Sequence, residues 1–296
     1  MEIIFLGTSS MVPTKDRNHS AVLVIQDGDG TLIDCGEGTQ RQLKIAGIKP
    51  SVISRILITH WHGDHVFGLP GLISTLSKSE YNRTLEIFGP SDSKRRIELM
   101  NKVFIYDEGV DLKITEVSKG KIFENDVLYI ETLPLEHGTD VLGYSIVEKD
   151  RRRIDLKEIK KLGIPEGPLL GKLQQGKDIT FKGKKIKADD VTNIVEGKKV
   201  TLITDTMPTA NATVLAQDAD VLICEATYAS DMLDKAEKHK HMTAKQAAQI
   251  ANVANVKQLF LTHFSARYKS PHILEEDARD TFNNTEAASD FKRVRL

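Results

Sequence analysis

Four side chains able to ligate a metal fall within six residues, His60-Trp61-His62-Gly63-Asp64-His65. In an extended backbone side chains alternate, so His60 and His62 point to one side, and Gly63 then lets the chain turn Asp64 and His65 toward a neighbouring position. Three apolar runs end on potential donors: Thr59-His60, Thr204-Asp205 and Thr262-His263. His137 follows another in Leu133-Pro134-Leu135-Glu136-His137. Open α/β folds place their ligand sites at the C-terminal ends of strands. Seven donors suit two ions. Neutral imidazoles with carboxylates favour Zn²⁺, with Mn²⁺ or Fe as alternatives. A carboxylate bridging two ions that share a hydroxide is the arrangement expected for metal-assisted hydrolysis.

The elements that must carry these residues alternate along the chain. Strands are expected at 2–6, 21–26 and 31–34, with Asp27-Gly28-Asp29-Gly30 supplying the hairpin turn between the last two. A strand at 53–59 precedes a helical pattern over 67–77. A strand at 85–88 precedes a helix over 91–103, and strands follow at 111–117, 127–133 and 142–148. Beyond residue 190 come a strand at 199–204, a helix near 209–217, a strand at 220–224, a helix over 243–254, a strand at 257–262 and a last helix near 272–287. This mixture argues for α/β layering with helices covering sheet faces. Ile56-Leu57-Ile58-Thr59-His60 echoes Leu259-Phe260-Leu261-Thr262-His263, a hint of internal duplication.

Composition narrows the class. The 296 residues are 40% apolar and 28% charged, the balance of a globular chain long enough for a sizeable core. No apolar run reaches the length of a membrane span, and the N-terminus lacks the pattern of a secretory signal. Cys35 and Cys224 lie in apolar contexts and read as reduced core thiols, so a cytoplasmic protein is expected. Lys and Arg number 41 against 42 Asp and Glu, which excludes a uniformly basic nucleic-acid binder. Locally the balance differs: residues 149–187 hold thirteen basic side chains against five acidic ones. Gly163, Pro165, Gly167, Pro168, Gly171 and Gly176 forbid a long helix there, and the apolar residues look too sparse for a core. The segment, bounded at about 149–190, reads as a basic arm protruding from a single catalytic domain that spans residues 1–296.

The cluster His60-x-His62-x-Asp64-His65 resembles the signature of the metallo-β-lactamase fold superfamily, and His137, Asp205 and His263 follow in the order of its remaining ligands. Finer matches are similar to the short-form ribonuclease Z family. Pro13-Thr14-Lys15-Asp16-Arg17-Asn18 resembles its Pro-x-Lys-x-Arg-Asn loop. Glu225-Ala226-Thr227 resembles the end of its His-Glu-Ala-Thr motif, with Cys224 where the family commonly has histidine. His241-Met242-Thr243 is similar to its His-x-Thr motif, Gly167-Pro168 with Gly171 and Gly176 to its glycine-proline arm, and Ser265-Ala266-Arg267-Tyr268 to the segment after its last ligand.

The resemblance implies a four-layer αβ/βα sandwich with an inserted arm. It also implies a zinc-dependent endoribonuclease that removes the 3′ trailer of precursor tRNA after the discriminator nucleotide, leaving a tRNA 3′-hydroxyl and a trailer 5′-phosphate. Two Zn²⁺ per subunit are implied: His60, His62 and His137 on one, Asp64, His65 and His263 on the other, with Asp205 bridging. Asp64 is then the general base, His241 the proton donor and Glu225 its orienting partner. The arm, with Arg151, Arg152, Arg153, Gly167, Pro168, Gly171 and Lys172, is expected to grip the tRNA, and Lys15, Arg17 and Asn18 to help set the cut. A homodimer in which the arm of one subunit serves its partner follows from the same resemblance. Two rivals stand beside this reading: a small-molecule hydrolase of the same fold (phosphodiesterase, arylsulfatase-like or thioesterase), and a non-catalytic RNA-binding scaffold. The basic arm and His241 argue against the first, and the full donor set against the second.

Overall fold

The computed structural model describes residues 1–79, 81–105 and 109–296. In chain order its strands are β1 (Glu2–Gly7), β2 (Ala21–Gln26), β3 (Asp29–Ile33), β4 (Ile53–Leu57), β5 (Leu85–Gly89), β6 (Leu112–Glu116), β7 (Gly120–Glu124), β8 (Leu128–Pro134), β9 (Leu142–Glu148), β10 (Arg151–Ile154), β11 (Ile179–Phe181), β12 (Lys184–Ile186), β13 (Thr192–Val195), β14 (Lys199–Ile203), β15 (Val221–Glu225), β16 (Gln258–Thr262), β17 (Thr285–Ala287) and β18 (Arg293–Arg295). The helices are α1 (Thr39–Ile45), α2 (Gly63–Val66), α3 (Leu69–Ser77), α4 (Ser93–Val103), α5 (Leu156–Leu162), α6 (Pro168–Gln174), α7 (Ala210–Ala216), α8 (Leu233–Lys238), α9 (Ala244–Val253) and α10 (His272–Arg279).

Strand β1 shows why the sequence builds four layers. It is apolar at every position from Ile3 to Leu6, because both of its faces are covered. Ile3 and Phe5 point into a core shared with Tyr144, Ile223 and Phe260 of the opposite sheet. Ile4 and Leu6 point the other way, into a core with Leu43, Leu72 and Ile97 of α1, α3 and α4. On the far side α7, α9 and α10 pack Ala212, Ala247 and Leu274 against Leu222 and Leu261. The two sheets run β18-β1-β2-β3-β4-β5-β6 and β17-β16-β15-β14-β9-β8-β7. The expected αβ/βα sandwich is therefore the fold.

Each sheet passes from antiparallel to parallel pairing at the same place. In the first, β1-β2-β3 are antiparallel and β3-β4-β5-β6 parallel. In the second, β8-β9-β14 are antiparallel and β14-β15-β16-β17 parallel. The halves thus share a topology, but its correspondence is β3 with β14 and β4 with β15. The echo between the ends of β4 and β16 joins strands that are not topological equivalents.

Residues 151–195 form the arm. β10 and β13 pair at its base, and β11 and β12 make a separate hairpin. Two seven-residue helices, α5 and α6, lie between, as the glycine and proline spacing requires. The arm does have a core, contrary to expectation: Ile159, Ile164, Leu173, Ile179, Ile186, Ala188 and Val191 converge and are buried. These residues are thin along the chain, and only the fold of the short elements gathers them.

Other boundaries differ locally. The helix expected over 67–77 is α3, with Gly68 at its N-cap and a proline in its first turn, and a one-turn helix, α2, precedes it. The last helix stops at Arg279, and Thr285–Ala287 is instead an edge strand parallel to β16. The hairpin turn is as read: Asp27 and Gly28 both have positive φ, 50° and 81°. Cys35 and Cys224 are buried free thiols. Among the described residues no helix is long and apolar enough to cross a membrane.

Candidate metal centre and active site

All seven predicted donors meet at one end of the sandwich, where β3, β4, β14, β15 and β16 finish. His60 lies three residues past the end of β4, and its Nδ1 contacts Thr59 Oγ1 at 3.0 Å, leaving Nε2 3.0 Å from His62 Nδ1. His60 and His62 share a side, as alternation demands. The turn beyond them is the first turn of α2, where Gly63 has no positive φ. A Cβ there would lie 2.1 Å from the ring of exposed Phe67, which would have to swing aside.

Asp205 occupies the centre. Its Oδ2 lies 3.6 Å from His60 Nε2 and 3.9 Å from His137 Nε2. Its Oδ1 lies 3.4 Å from His65 Nε2 and 3.1 Å from His263 Nε2. Asp64 Oδ2 stands 3.5 and 3.6 Å from the same two nitrogens. Two donor groups, His60-His62-His137-Asp205 and Asp64-His65-His263, have one Asp205 oxygen facing each, and Asp205, His241 and His263 make a third, overlapping group.

Every ring but His62 is aimed by a partner on its other nitrogen, the usual means of fixing a ligating histidine. His65 Nδ1 bonds Asp34 Oδ2 at 2.6 Å, His263 Nδ1 meets Thr227 Oγ1 at 3.0 Å, and His137 Nδ1 donates to the Lys240 carbonyl at 2.9 Å. Asp34 also accepts from the Thr59 amide and hydroxyl, both at 2.8 Å. Sequence reading missed Asp34. It ends β3 as Asp205 ends the topologically equivalent β14, and both have positive φ, 57° and 50°. His263 shares that conformation at 60°, which Asp, Asn and His tolerate better than most residues.

The chemistry of this set fits a divalent cation. Asp64 Oδ1, His65 Nε2 and His263 Nε2 are buried without a hydrogen-bond partner, a costly state that a bound cation relieves. Burial pushes the His60 and His62 imidazoles below their ordinary pKa, so their lone pairs are free. Burial opposes ionisation of Asp64 and Asp205 too, but the surrounding imidazoles outweigh it and hold both carboxyls well below the usual range.

His241 sits beside this cluster on a separate device. Its Nδ1 lies 3.2 and 3.1 Å from the two oxygens of Glu225, which is fully buried at the end of β15. Glu225 also accepts from the Thr206 amide, the Thr227 hydroxyl and the Met242 amide. Burial lowers the His241 pKa, but the Glu225 charge outweighs it and carries the imidazole up to about 9. His241 therefore holds a proton at neutral pH. Cys224, beside Glu225, points its sulfur at Met242 and serves the core.

A cleft of about 360 Å³ opens over these groups, lined by Ser10, Met11 and Val12 on one side and Tyr228, His239 and Ser265 on the other. The 13–18 loop beyond Met11 and Val12 divides its residues. Lys15 is exposed, whereas Arg17 is buried and donates to the Tyr268 carbonyl at 2.7 Å. The Asn18 side-chain amide donates to the Glu37 carbonyl at 2.8 Å. Arg17, expected on RNA, is thus turned inward to hold the loop, while Asn18 is half-buried. On the arm, Arg151 and Arg153 are exposed, while Arg152 pairs with Asp189 at 2.6 Å. Lys172 is exposed, Pro168 opens α6, and a Cβ at Gly167 or Gly171 would meet nothing within 4 Å.

Known proteins resemble this chain along its length. Residues 14–150 match the metallo-beta-lactamase superfamily model and residues 185–264 a beta-lactamase superfamily domain. Ribonuclease Z of Protochlamydia amoebophila is 40% identical over 98% of this chain and 95% of its own. Ribonuclease Z of Picosynechococcus is 44% identical over the same shares. Among solved structures, human tRNase Z, short form, superposes with a TM-score of 0.75 at 27% identity, covering 100% of this chain and 99% of that one.

Proposed function

The chain belongs to the ribonuclease Z family, and from that membership we propose that it is the endoribonuclease that removes the 3′ trailer of precursor tRNA. The observation that carries the reading is the pairing of two complete donor sets around Asp205 with a proton-bearing His241 on Glu225.

His60, His62 and His137 would hold one Zn²⁺ and Asp64, His65 and His263 the other, with Asp205 shared. Bound there, the ions would supply charge neutralisation at the phosphoryl oxygens and a water acidified toward neutral pH. The protein's own groups do the rest. The orphan Asp64 Oδ1 accepts a proton from the attacking water. His241, protonated at rest, delivers its proton to the departing 3′-oxygen, which leaves the tRNA 3′-hydroxyl and a 5′-phosphate on the trailer. Glu225, fixed by three donors besides His241, holds the ring in place and replenishes its basicity.

RNA is held by the arm. A-form helices are recognised through backbone and shape, which exposed cations such as Arg151, Arg153 and Lys172 suit, and the open faces of Gly167 and Gly171 let a phosphate backbone approach closely. Lys15 is an exposed cation on the loop whose Ser10–Val12 stretch lines the cleft, and serves as that loop's contact with substrate. The active form is a homodimer in the cytoplasm, one arm reaching its partner's cleft. An apolar groove lined by Trp61, Phe67, Met100 and Phe104 supports association, since Phe67 is 66% and Phe104 47% exposed.

The deciding experiment incubates the protein with a 3′-extended precursor tRNA, with and without chelator, and maps the ends. One chelator-sensitive cut after the discriminator nucleotide is expected. Absence of a cut by metal-loaded protein would overturn the reading in favour of a small-phosphodiester hydrolase.

A further inference from the structure

One wall of the cleft is a loop held by a residue far away in sequence. The segment between β1 and β2 leaves the sheet at Thr8, carries Ser10, Met11 and Val12 along the cleft, and returns through Asn18. Met11 and Val12 are 60% and 59% exposed, so the lip they form is held by hydrogen bonds rather than by packing. Its two legs are joined by the Ser9 amide on the Asn18 carbonyl, and a second time, through side chains and the Asn18 backbone amide, by the Asp290 carboxylate. Oδ1 accepts from the Thr8 hydroxyl at 2.8 Å, and Oδ2 accepts from the Asn18 amide at 2.8 Å and from Gln42 Nε2 at 3.0 Å. Asp290 is itself held in register with β1: the following residue, Phe291, donates to the Phe5 carbonyl at 2.7 Å, and the Phe5 amide donates to Lys292 O at 3.0 Å.

All three partners are donors, so the position calls for a group that accepts on both oxygens. A carboxylate does this as it stands; an amide keeps the Asn18 and Gln42 bonds only by turning its NH2 toward Thr8, whose hydroxyl must then reverse and accept. Asp290 is neither among the clustered metal donors nor in the cleft lining, so it can affect the reaction only through the loop.

The geometry points to Asp290 as a positioning residue that fixes the Ser10–Val12 lip and so determines which phosphate of the precursor lies over the metal centre. The inference rests on the proposed ribonuclease reading and adds to it a determinant of cut position. With the carboxylate lost, the legs keep their backbone bonds to each other and to Phe264 but lose their link to the closing strand, and a long RNA can settle one nucleotide out of place. A small phosphodiester has no neighbouring phosphates to be set in register by the lip and is hydrolysed as before.

The test compares wild type with Asp290→Asn and with Thr8→Val, which removes one of the three donors while keeping the volume of a fully buried side chain. Each is assayed on a 3′-extended precursor tRNA with end mapping, and on bis-p-nitrophenyl phosphate. Wild type must first give one cut; if it gives none, the ribonuclease reading fails before this inference is reached. Expected for both variants are cuts spread over neighbouring phosphates and a KM for the precursor raised about tenfold, the loss of one good hydrogen bond. Their kcat/KM on the small substrate should stay within about twofold of wild type. A single unshifted cut with unchanged KM would overturn the inference. So would equal loss on both substrates, which would make Asp290 a support of the fold alone.

Discussion

Excising the arm is the sharpest test of how substrate is held, and the structure says where to cut. The chain enters and leaves the arm side by side: the Glu148 amide donates to the Lys198 carbonyl and the Gly197 amide to the Asp150 carboxylate, both at 2.8 Å. Replacing residues 151–195 by Asn-Gly therefore closes the gap with a two-residue hairpin turn. The arm's core lies within the excised segment, so the sandwich should still unfold cooperatively. The segment removes twelve Lys or Arg and six Asp or Glu, a surplus of six positive charges. If these neutralise about six phosphates, log affinity falls against log salt with a slope of about −5, or roughly a thousandfold between 50 and 200 mM. Precursor-tRNA binding measured across that range should lose this slope in the excised protein. At 50 mM its KM should rise by about two to three orders of magnitude. Hydrolysis of bis-p-nitrophenyl phosphate should be unchanged. An unaltered salt slope, or equal loss on both substrates, would refute the reasoning.

Three further outcomes are expected. His241→Ala should lower kcat on precursor tRNA by about 10² to 10⁴, the usual contribution of a proton donor, while metal content by atomic spectroscopy stays at the wild-type value. Zinc loss would show His241 to be a ligand. Asp34→Ala, which frees His65 Nδ1, should weaken metal binding about 10- to 100-fold in a chelator competition, and wild-type affinity would dismiss its aiming role. Burial outweighs the hydrogen bonds of Asn18 and Thr8 at Asp290 and pushes its carboxyl up to about 6. The folded protein then binds an extra proton between the unfolded value of about 4 and about 6. That contribution is full below pH 4 and is lost as pH rises through 6, by at most about 3 kcal/mol. Urea unfolding at pH 4 and pH 7 should show wild type losing stability relative to Asp290→Asn, and a constant difference would refute the raised value.

The metal donors were legible because their signal is local: six residues around His60, and apolar strands that end on Asp or His. Asp34 also ends a strand, but nothing near it repeats the pattern, and its meaning appears only when β3 is laid against β14. The inward turn of Arg17 depends on the Tyr268 carbonyl, 251 positions away, and the role of Asp290 on an amide 272 positions away. No window of sequence holds both members of either pair. The arm's core was hidden for a related reason, since seven apolar residues scattered over 33 positions look like a solvated segment until α5, α6 and the β11–β12 hairpin fold them together.

The chain order of the donors has a consequence for synthesis. His60 through His65 leave the ribosome first, Asp205 much later, and His263 later still. β18 follows, pairs with β1 and brings Asp290 to the Ser10–Val12 loop. A nascent chain therefore displays a partial donor set until His263 and β18 have emerged and folded back on β1. A product terminated before His263 lacks both that donor and the strand that pairs with β1, so it should not cut RNA.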